Sequence, residues 1–233
     1  MSASSNAARI GVWGASGSGK SSYVKKEIRR TRRLVVFDPL DEYAPLMRAP
    51  ANVNGPPTAN VNAPPIPAST NDLDAVRLAM RNDWAGFRVA YVPQSGKEPL
   101  ALSALCRLLM RAQQPFKDGK SNLGLTLVVE EMNLPFPVHG GAQKCPGFAE
   151  ICSRGRHYGI TVYGLSQRIA EVSTRFRGNC TETVVLRQQG PRDIAAAMDA
   201  TGASKAQITG LKNLHYIHAA NGNLRGGKIN HRK

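Results

Sequence analysis

The octapeptide Gly14-Ala15-Ser16-Gly17-Ser18-Gly19-Lys20-Ser21 decides how the rest of the chain is read. It matches the spacing G-x-x-x-x-G-K-[ST] in full, and its flanks supply the context that the spacing requires. The short apolar run Ile10-Gly11-Val12-Trp13 before it reads as a strand, and the charged stretch from Ser21 to about Arg33 after it reads as a helix. Glycines let backbone N–H groups curl round an anion, and the start of a helix adds a favourable dipole. Residues Gly14, Ala15, Ser16, Gly17, Ser18, Gly19, Lys20, Ser21 and Ser22 are therefore the candidate nucleotide cradle. Lys20 is placed to reach the β- and γ-phosphates, and the Ser21 hydroxyl to bind Mg²⁺.

Outward from this loop, strand patterns alternate with helical ones. Leu34–Phe37 reads as the second strand, ended by Asp38-Pro39. Asn71–Asn82 reads as a helix with Asn71 as its N-cap and Leu73, Val76, Ala79 and Met80 on one face. Phe87–Val92, Leu125–Val129, Ile160–Leu165 and Val184–Leu186 read as further strands. Leu100–Arg111, Phe148–His157 and Ile194–Thr201 read as helices. Asn221-Gly222, between Tyr216–Ala220 and Leu224–Ile229, is the signature of a type I′ hairpin. Such alternation predicts an α/β fold of the P-loop NTPase kind: a mostly parallel sheet with helices on both faces, ending in a β-hairpin. The expected organisation is one P-loop ATPase domain over residues 1–233. A Pro- and Asn-rich insertion at 50–70 repeats Ala-Asn-Val-Asn, and residues 213–233 form the hairpin and a basic tail.

A P-loop needs an acid at the end of a neighbouring strand. Leu125-Thr126-Leu127-Val128-Val129 ends in Glu130-Glu131, which supplies two. Glu130 is assigned to Mg²⁺ through water and Glu131 to polarising the attacking water. Glu130 stands where Asp is usual, one methylene longer. Another strand follows the basic turn Arg154-Gly155-Arg156-His157-Tyr158-Gly159 and ends in Ser166-Gln167-Arg168. Ligands of open α/β sheets bind at that carboxyl edge, so Gln167 is placed to orient the lytic water.

The 233 residues carry 31 Lys and Arg against 16 Asp and Glu, a formal charge of +15. That excess favours a polyanionic partner. Residues 1–50 contribute +5 and the last 33 residues +6, so the charge sits beside the loop and at the C-terminus. Cys106, Cys145, Cys152 and Cys180 form no C-x-x-C pair and no zinc spacing, which fits a reduced compartment. Met1–Ala8 lacks the apolar core of a signal peptide, and no apolar run approaches a bilayer span. The chain is expected to be soluble. No Asn/Thr-Lys-x-Asp element for reading guanine is present.

With these motifs in hand, the sequence resembles the FtsK–HerA superfamily of DNA-pumping ATPases. More narrowly, it looks like the genome-packaging ATPases of tailless, internal-membrane dsDNA viruses of the tectivirus type. The resemblance runs from Gly14 to about Tyr216. It rests on the P-loop, Asp38-Pro39-Leu40-Asp41-Glu42-Tyr43, the 125–131 strand, Arg156-His157-Tyr158-Gly159-Ile160, Ser166-Gln167-Arg168 and Arg175-Phe176-Arg177-Gly178-Asn179. It implies an ATP- and Mg²⁺-dependent homohexameric ring with dsDNA in its channel, a capsid-vertex or portal-type partner, and a place in host cytoplasm and virion. It also implies an arginine supplied in trans to each site, for which Arg156 is the first choice and Arg154 the second. Arg177 and Arg187 receive no role.

Two other readings stay open. A nucleotide or small-molecule kinase shares this loop and size but needs neither paired strand-end acids nor so basic a surface. A DNA-binding scaffold with a vestigial ATP site would bind without turnover. Contact with dsDNA is expected through phosphates, without base readout. Its candidates are Lys25, Lys26, Arg29, Arg30, Arg32 and Arg33 after the P-loop, or Arg225, Lys228, Arg232 and Lys233 at the end.

Overall fold

The computed structural model describes residues 7–48 and 68–230. The Pro- and Asn-rich segment, except its last residues, and Arg232 and Lys233 lie outside the described residues. The elements are β1 (Arg9–Trp13), α1 (Lys20–Glu27), β2 (Leu34–Phe37), α2 (Ala44–Arg48), β3 (Ser69–Thr70), α3 (Leu73–Asn82), β4 (Arg88–Tyr91), α4 (Glu98–Ala112), α5 (Gln114–Lys117), β5 (Leu125–Val129), α6 (Gly141–Lys144), α7 (Pro146–Arg154), β6 (Ile160–Ser166), α8 (Thr174–Arg177), β7 (Glu182–Leu186), α9 (Pro191–Thr201), α10 (Lys205–Thr209), β8 (His215–Ala220) and β9 (Asn223–Lys228).

Nine strands form one sheet in the order β3-β4-β2-β5-β6-β1-β7-β8-β9. Every pairing from β3 to β7 is parallel, and only β7–β8 and β8–β9 are antiparallel. Side chains alternate across a strand, so each central strand feeds two cores. Val35 and Phe37 of β2 join Leu125, Leu127 and Val129 of β5 in the larger core, beneath α3, α4, α7 and α9. Leu34 and Val36 join Ile10, Val12, Val24 and Leu165 in the smaller one, beneath α1. Near-continuous apolar strands are the mark of a parallel sheet covered on both faces.

The expected elements are found with shifted ends. The N-cap of α3 is Asp72, whose carboxylate accepts the Asp74 N–H at 2.8 Å, instead of Asn71. The helix after the P-loop stops at Glu27 and tightens into a 3₁₀ turn at Ile28–Arg30. Arg33 therefore does not lie on that helix. It is buried, donates to the Leu123 and Gly124 carbonyls and to Gln113 Oε1, and stacks 4.1 Å from the Trp84 ring. Asn221 and Gly222 both take positive φ, 50° and 75°, as a type I′ turn demands. All four cysteines are free thiols and three are buried; burial pushes Cys145 up to about 12.

Helices α4 and α7 touch at Gly147, where a Cβ would lie 2.2 Å from the Ser103 carbonyl oxygen. Its N–H donates to Ser103 Oγ at 2.9 Å. Backbone cannot yield as a flexible side chain does, so Gly147→Ala is expected to destabilise the protein by about 1–3 kcal/mol. The urea midpoint reports it; an unchanged midpoint would mean that the two helices separate freely.

Candidate active site

The register of the parallel strands aligns their carboxyl ends. Trp13 of β1 pairs with Ser166 of β6, and Val129 of β5 with Phe37 of β2 and Gly164 of β6. The residues that follow those ends therefore share one edge of the sheet. In spatial order they are Asp38 after β2, Glu130 and Glu131 after β5, Gln167 after β6, the P-loop after β1, and Arg187 after β7.

The loop is held by its neighbours on both sides. Gly14 N–H donates to the Ser166 carbonyl at 3.3 Å and Ala15 N–H to the Arg187 carbonyl at 2.8 Å. A Cβ on Gly14 would fall 2.5 Å from Ser18 Oγ and 2.8 Å from Leu186 Cβ. Gly19 turns the chain into α1 at φ 106°, a conformation open to glycine and strained for other residues. Ser16 and Gly17 are exposed at the tip, whereas Lys20 is buried and its ammonium donates to the Ala15 carbonyl at 3.5 Å. Burial lowers the Lys20 pKa, opposed by the nearby carboxylates of Glu131, Glu130 and Glu42. The first-turn amides of α1, Ser21 and Ser22 among them, have no partners within the helix, which suits an anion at its start.

Glu130 is buried at the floor of the site, where its carboxylate accepts hydrogen bonds from the Tyr43 hydroxyl and from Ser21. Burial raises its pKa; those two hydrogen bonds oppose the rise. Among the described residues no group of three or more His, Cys, Asp or Glu could hold a metal by itself. The Ser21 hydroxyl and the Glu130 carboxylate are nevertheless adjacent oxygen donors, the set that fits a Mg²⁺ ion whose other ligands are substrate phosphates and water.

A carboxyl whose pKa is raised by folding weakens the fold once it ionises. The Glu130 cost is absent below its unfolded value near 4.5 and grows as pH rises through its folded value. Glu130→Gln is thus expected to melt higher than the wild type at pH 7 without nucleotide, with the gap closing as pH falls toward 4.5. Equal melting points at pH 7 would contradict this account.

Glu131, the next residue, takes φ 46°. Such backbone in a non-glycine residue costs on the order of 1–3 kcal/mol and is typical of functional sites. The turn sends the two carboxylates apart: Glu130 to Ser21, Glu131 to Gln167, whose Nε2 donates to Glu131 Oε1 at 3.0 Å. The neighbouring Ser166 and Arg168 are structural. Buried Ser166 donates to Asn133 Oδ1 at 3.1 Å, and Arg168 Nε donates to the buried Asp193 of α9 at 2.7 Å.

The Asp38–Tyr43 motif gains a role that its sequence does not reveal. Asp38 Oδ2 accepts the Tyr43 N–H at 2.8 Å, closing a turn that aims the tyrosine hydroxyl at Glu130. Lys25 covers that tyrosine, 4.5 Å from the ring centroid, and donates to the Glu42 carbonyl at 3.0 Å. Tyr43 is a positioning residue for Glu130. The only signal for it in the sequence is the motif itself, since 87 residues separate the partners.

Arg156 lies elsewhere. It is exposed in the 3₁₀ turn Gly155–Tyr158 that precedes β6, at the amino edge of the sheet. The seven residues of β6 span roughly 20 Å between that turn and Gln167. Arg156 is thus kept from the P-loop of its own chain. Arg154, on the same edge, pairs with Glu150 at 3.6 Å. Arg175-Phe176-Arg177-Gly178-Asn179 is a folded turn: Asn179 Nδ2 donates to the Arg175 carbonyl at 2.7 Å, Phe176 is buried, and Arg177 Nε donates to the Val172 carbonyl at 3.0 Å.

Of the two basic patches, the one after the P-loop is smaller than its sequence suggests, since Lys25 and Arg33 are engaged. Lys26, Arg29, Arg30 and Arg32 are exposed. On the hairpin Arg225 and Lys228 are exposed. A groove of about 840 Å³ between α10 and the hairpin includes Lys212, His215 and Lys228 in its lining and none of the P-loop residues.

No protein-family model and no curated protein sequence matches the chain. Solved structures do. The genome packaging NTPase B204 of Sulfolobus turreted icosahedral virus 2, in complex with AMPPCP, superposes with a TM-score of 0.67 at 13% identity, covering 97% of this chain and 99% of that one. B204 of Sulfolobus turreted icosahedral virus, the DNA-packaging ATPase, gives 0.66 at 14%, covering 99% and 100%. VirB4 of Thermoanaerobacter pseudethanolicus gives 0.64 at 13%, covering 100% and 92%. The α/β P-loop NTPase fold expected from the sequence is therefore shared with packaging ATPases along nearly the whole chain.

Proposed function

We propose that this protein is an ATPase that translocates dsDNA and packages a viral genome into a preformed capsid, working as a homo-oligomeric ring. The observation that carries the reading is how the structure divides the candidate catalytic residues between two edges of the sheet. Lys20, Ser21, Glu130, Glu131 and Gln167 converge at the carboxyl edge of the sheet, while Arg156 stands at the opposite edge. The likeness to packaging NTPases over nearly the whole chain supports it.

In this reading Lys20 and the α1 amides bind and orient the β- and γ-phosphates. Ser21 and Glu130 would hold Mg²⁺, which would supply neutralisation of phosphate charge. Water attacks the γ-phosphorus in line; its proton passes toward Glu131, and the bond to the bridging β–γ oxygen breaks to leave ADP and phosphate. Gln167, hydrogen-bonded to Glu131, orients that carboxylate and the attacking water. Arg156 of a neighbouring subunit stabilises the charge on the transferring group. DNA contact runs through phosphates at the exposed lysines and arginines, so it is sensitive to salt and tolerant of sequence.

The test is the ATPase rate with and without dsDNA across salt, alongside mass in solution. A ring whose turnover rises with any dsDNA and falls with salt is the expected result. A monomer or dimer that needs a small phosphate acceptor would establish a kinase instead. DNA binding with no phosphate release would establish a scaffold.

A further inference from the structure

The acids and Gln167 lie on one flank of the P-loop, toward β6 and β5, so a terminal phosphate bound there faces that flank. A nucleoside extending away from those acids would lie over the other flank, toward β7 and β8. That flank is built from the end of β7, the loop before β8 and the foot of the hairpin. Arg187, the first residue after β7, donates from Nε to Asn213 Oδ1 at 2.5 Å and from Nη2 to the Ser16 carbonyl of the P-loop at 3.2 Å. Among the described residues it makes no ion pair with a carboxylate.

The loop that carries Asn213 is itself tied to the P-loop. Leu214 takes φ 66° and its N–H donates to the Ser18 carbonyl at 2.9 Å. Ile229 N–H, just past the hairpin, donates to the Leu214 carbonyl at 2.8 Å. A Cβ on Gly19 would stand 2.8 Å from Leu214 Cδ2 and 3.0 Å from Ile229 Cδ1, so the base of the hairpin is packed against the start of α1. Hydrogen bonds at two of its nitrogens hold the Arg187 guanidinium in one plane. A planar cation so fixed offers its face for stacking and its remaining N–H groups for hydroxyl oxygens.

Building on the P-loop reading above, we propose that Arg187 and Asn213 form the nucleoside subsite. Arg187 stacks on the base or grips the ribose, Asn213 holds it in place, and the foot of the C-terminal hairpin is the wall behind them.

Inorganic tripolyphosphate, which has no nucleoside, separates this subsite from the phosphate cradle. Binding of ATP and of tripolyphosphate to the full chain is measured by calorimetry, with folding checked by circular dichroism. Arg187→Ala is expected to weaken ATP about tenfold and to leave tripolyphosphate unchanged. Asn213→Ala, in an exposed loop, shows the same selectivity at smaller size, and Arg187→Lys, which keeps the charge but not the plane, fails to restore ATP affinity. If Arg187→Ala weakens both ligands equally and Arg187→Lys restores both, Arg187 acts as a phosphate charge and the proposal fails. Unchanged ATP affinity in both alanine variants also overturns it. Should Arg187→Ala not fold, Asn213→Ala and Arg187→Lys decide by the same comparison. Wild-type protein that binds neither ligand would instead overturn the P-loop reading itself.

Discussion

Glu131→Gln is expected to bind ATP as the wild type does and to hydrolyse it about 10²–10⁴ times more slowly, the loss typical of a removed general base. The substitution is nearly isosteric and leaves Lys20, Ser21 and Glu130 in place, so binding is spared. In the proposed mechanism it removes the proton acceptor, the carboxylate that now accepts from Gln167 at 3.0 Å. The left-handed turn at Glu131 matters to this prediction. It separates the carboxylate from Glu130, which faces Ser21 and the buried Tyr43 hydroxyl, so Glu130 is not placed to take over the task. Single-turnover hydrolysis with equilibrium binding of ATP checks both halves. Hydrolysis at the wild-type rate would remove Glu131 from the mechanism.

The second large effect concerns Arg156. If the protein works as the proposed ring, Arg156→Ala is expected to cost about 10³–10⁵ in turnover, the range for a missing arginine finger. The span of β6 keeps this side chain from the P-loop of its own chain. Lys20→Ala is expected to abolish turnover by emptying the phosphate cradle of its cation. Mixing the two dead variants then distinguishes cis from trans. Where an Arg156→Ala subunit lends its intact P-loop and a Lys20→Ala neighbour lends its intact arginine, one complete site forms and activity returns. Mixed rings that stay inactive would refute Arg156 as a finger in trans. Arg154, tied to Glu150 on its own helix, is the control position.

Much of this site could be read before folding because its signals are local. A loop of glycines between an apolar run and a charged helix says how its backbone must curl, and Asn221-Gly222 says that two positive φ angles follow each other. Apolar strands without alternation say that both faces of the sheet are covered. The same window misled where a charge was taken at its face value. Arg33 reads as one of six cations on a solvated helix, yet it lies beneath Trp84 with its N–H groups on carbonyls of the chain before β5. Lys25, one of the candidate DNA contacts, also covers Tyr43.

The sequence by itself determined the chemistry on offer: a phosphate loop, two acids at a strand end, a glutamine at another, and a basic surface. The tertiary structure decided which of these meet. It set Tyr43 on Glu130 across 87 residues, Gln167 on Glu131 across 36, and Arg187 on Ser16 across 171. It also sent Arg156 to the far edge, away from its own P-loop. The physical reason is that periodicity and glycine geometry act within a turn or a strand, whereas these contacts depend on strand order. With β1 between β6 and β7, the P-loop has Glu130, Glu131 and Gln167 on one side and the foot of the hairpin on the other, and no local pattern encodes that choice.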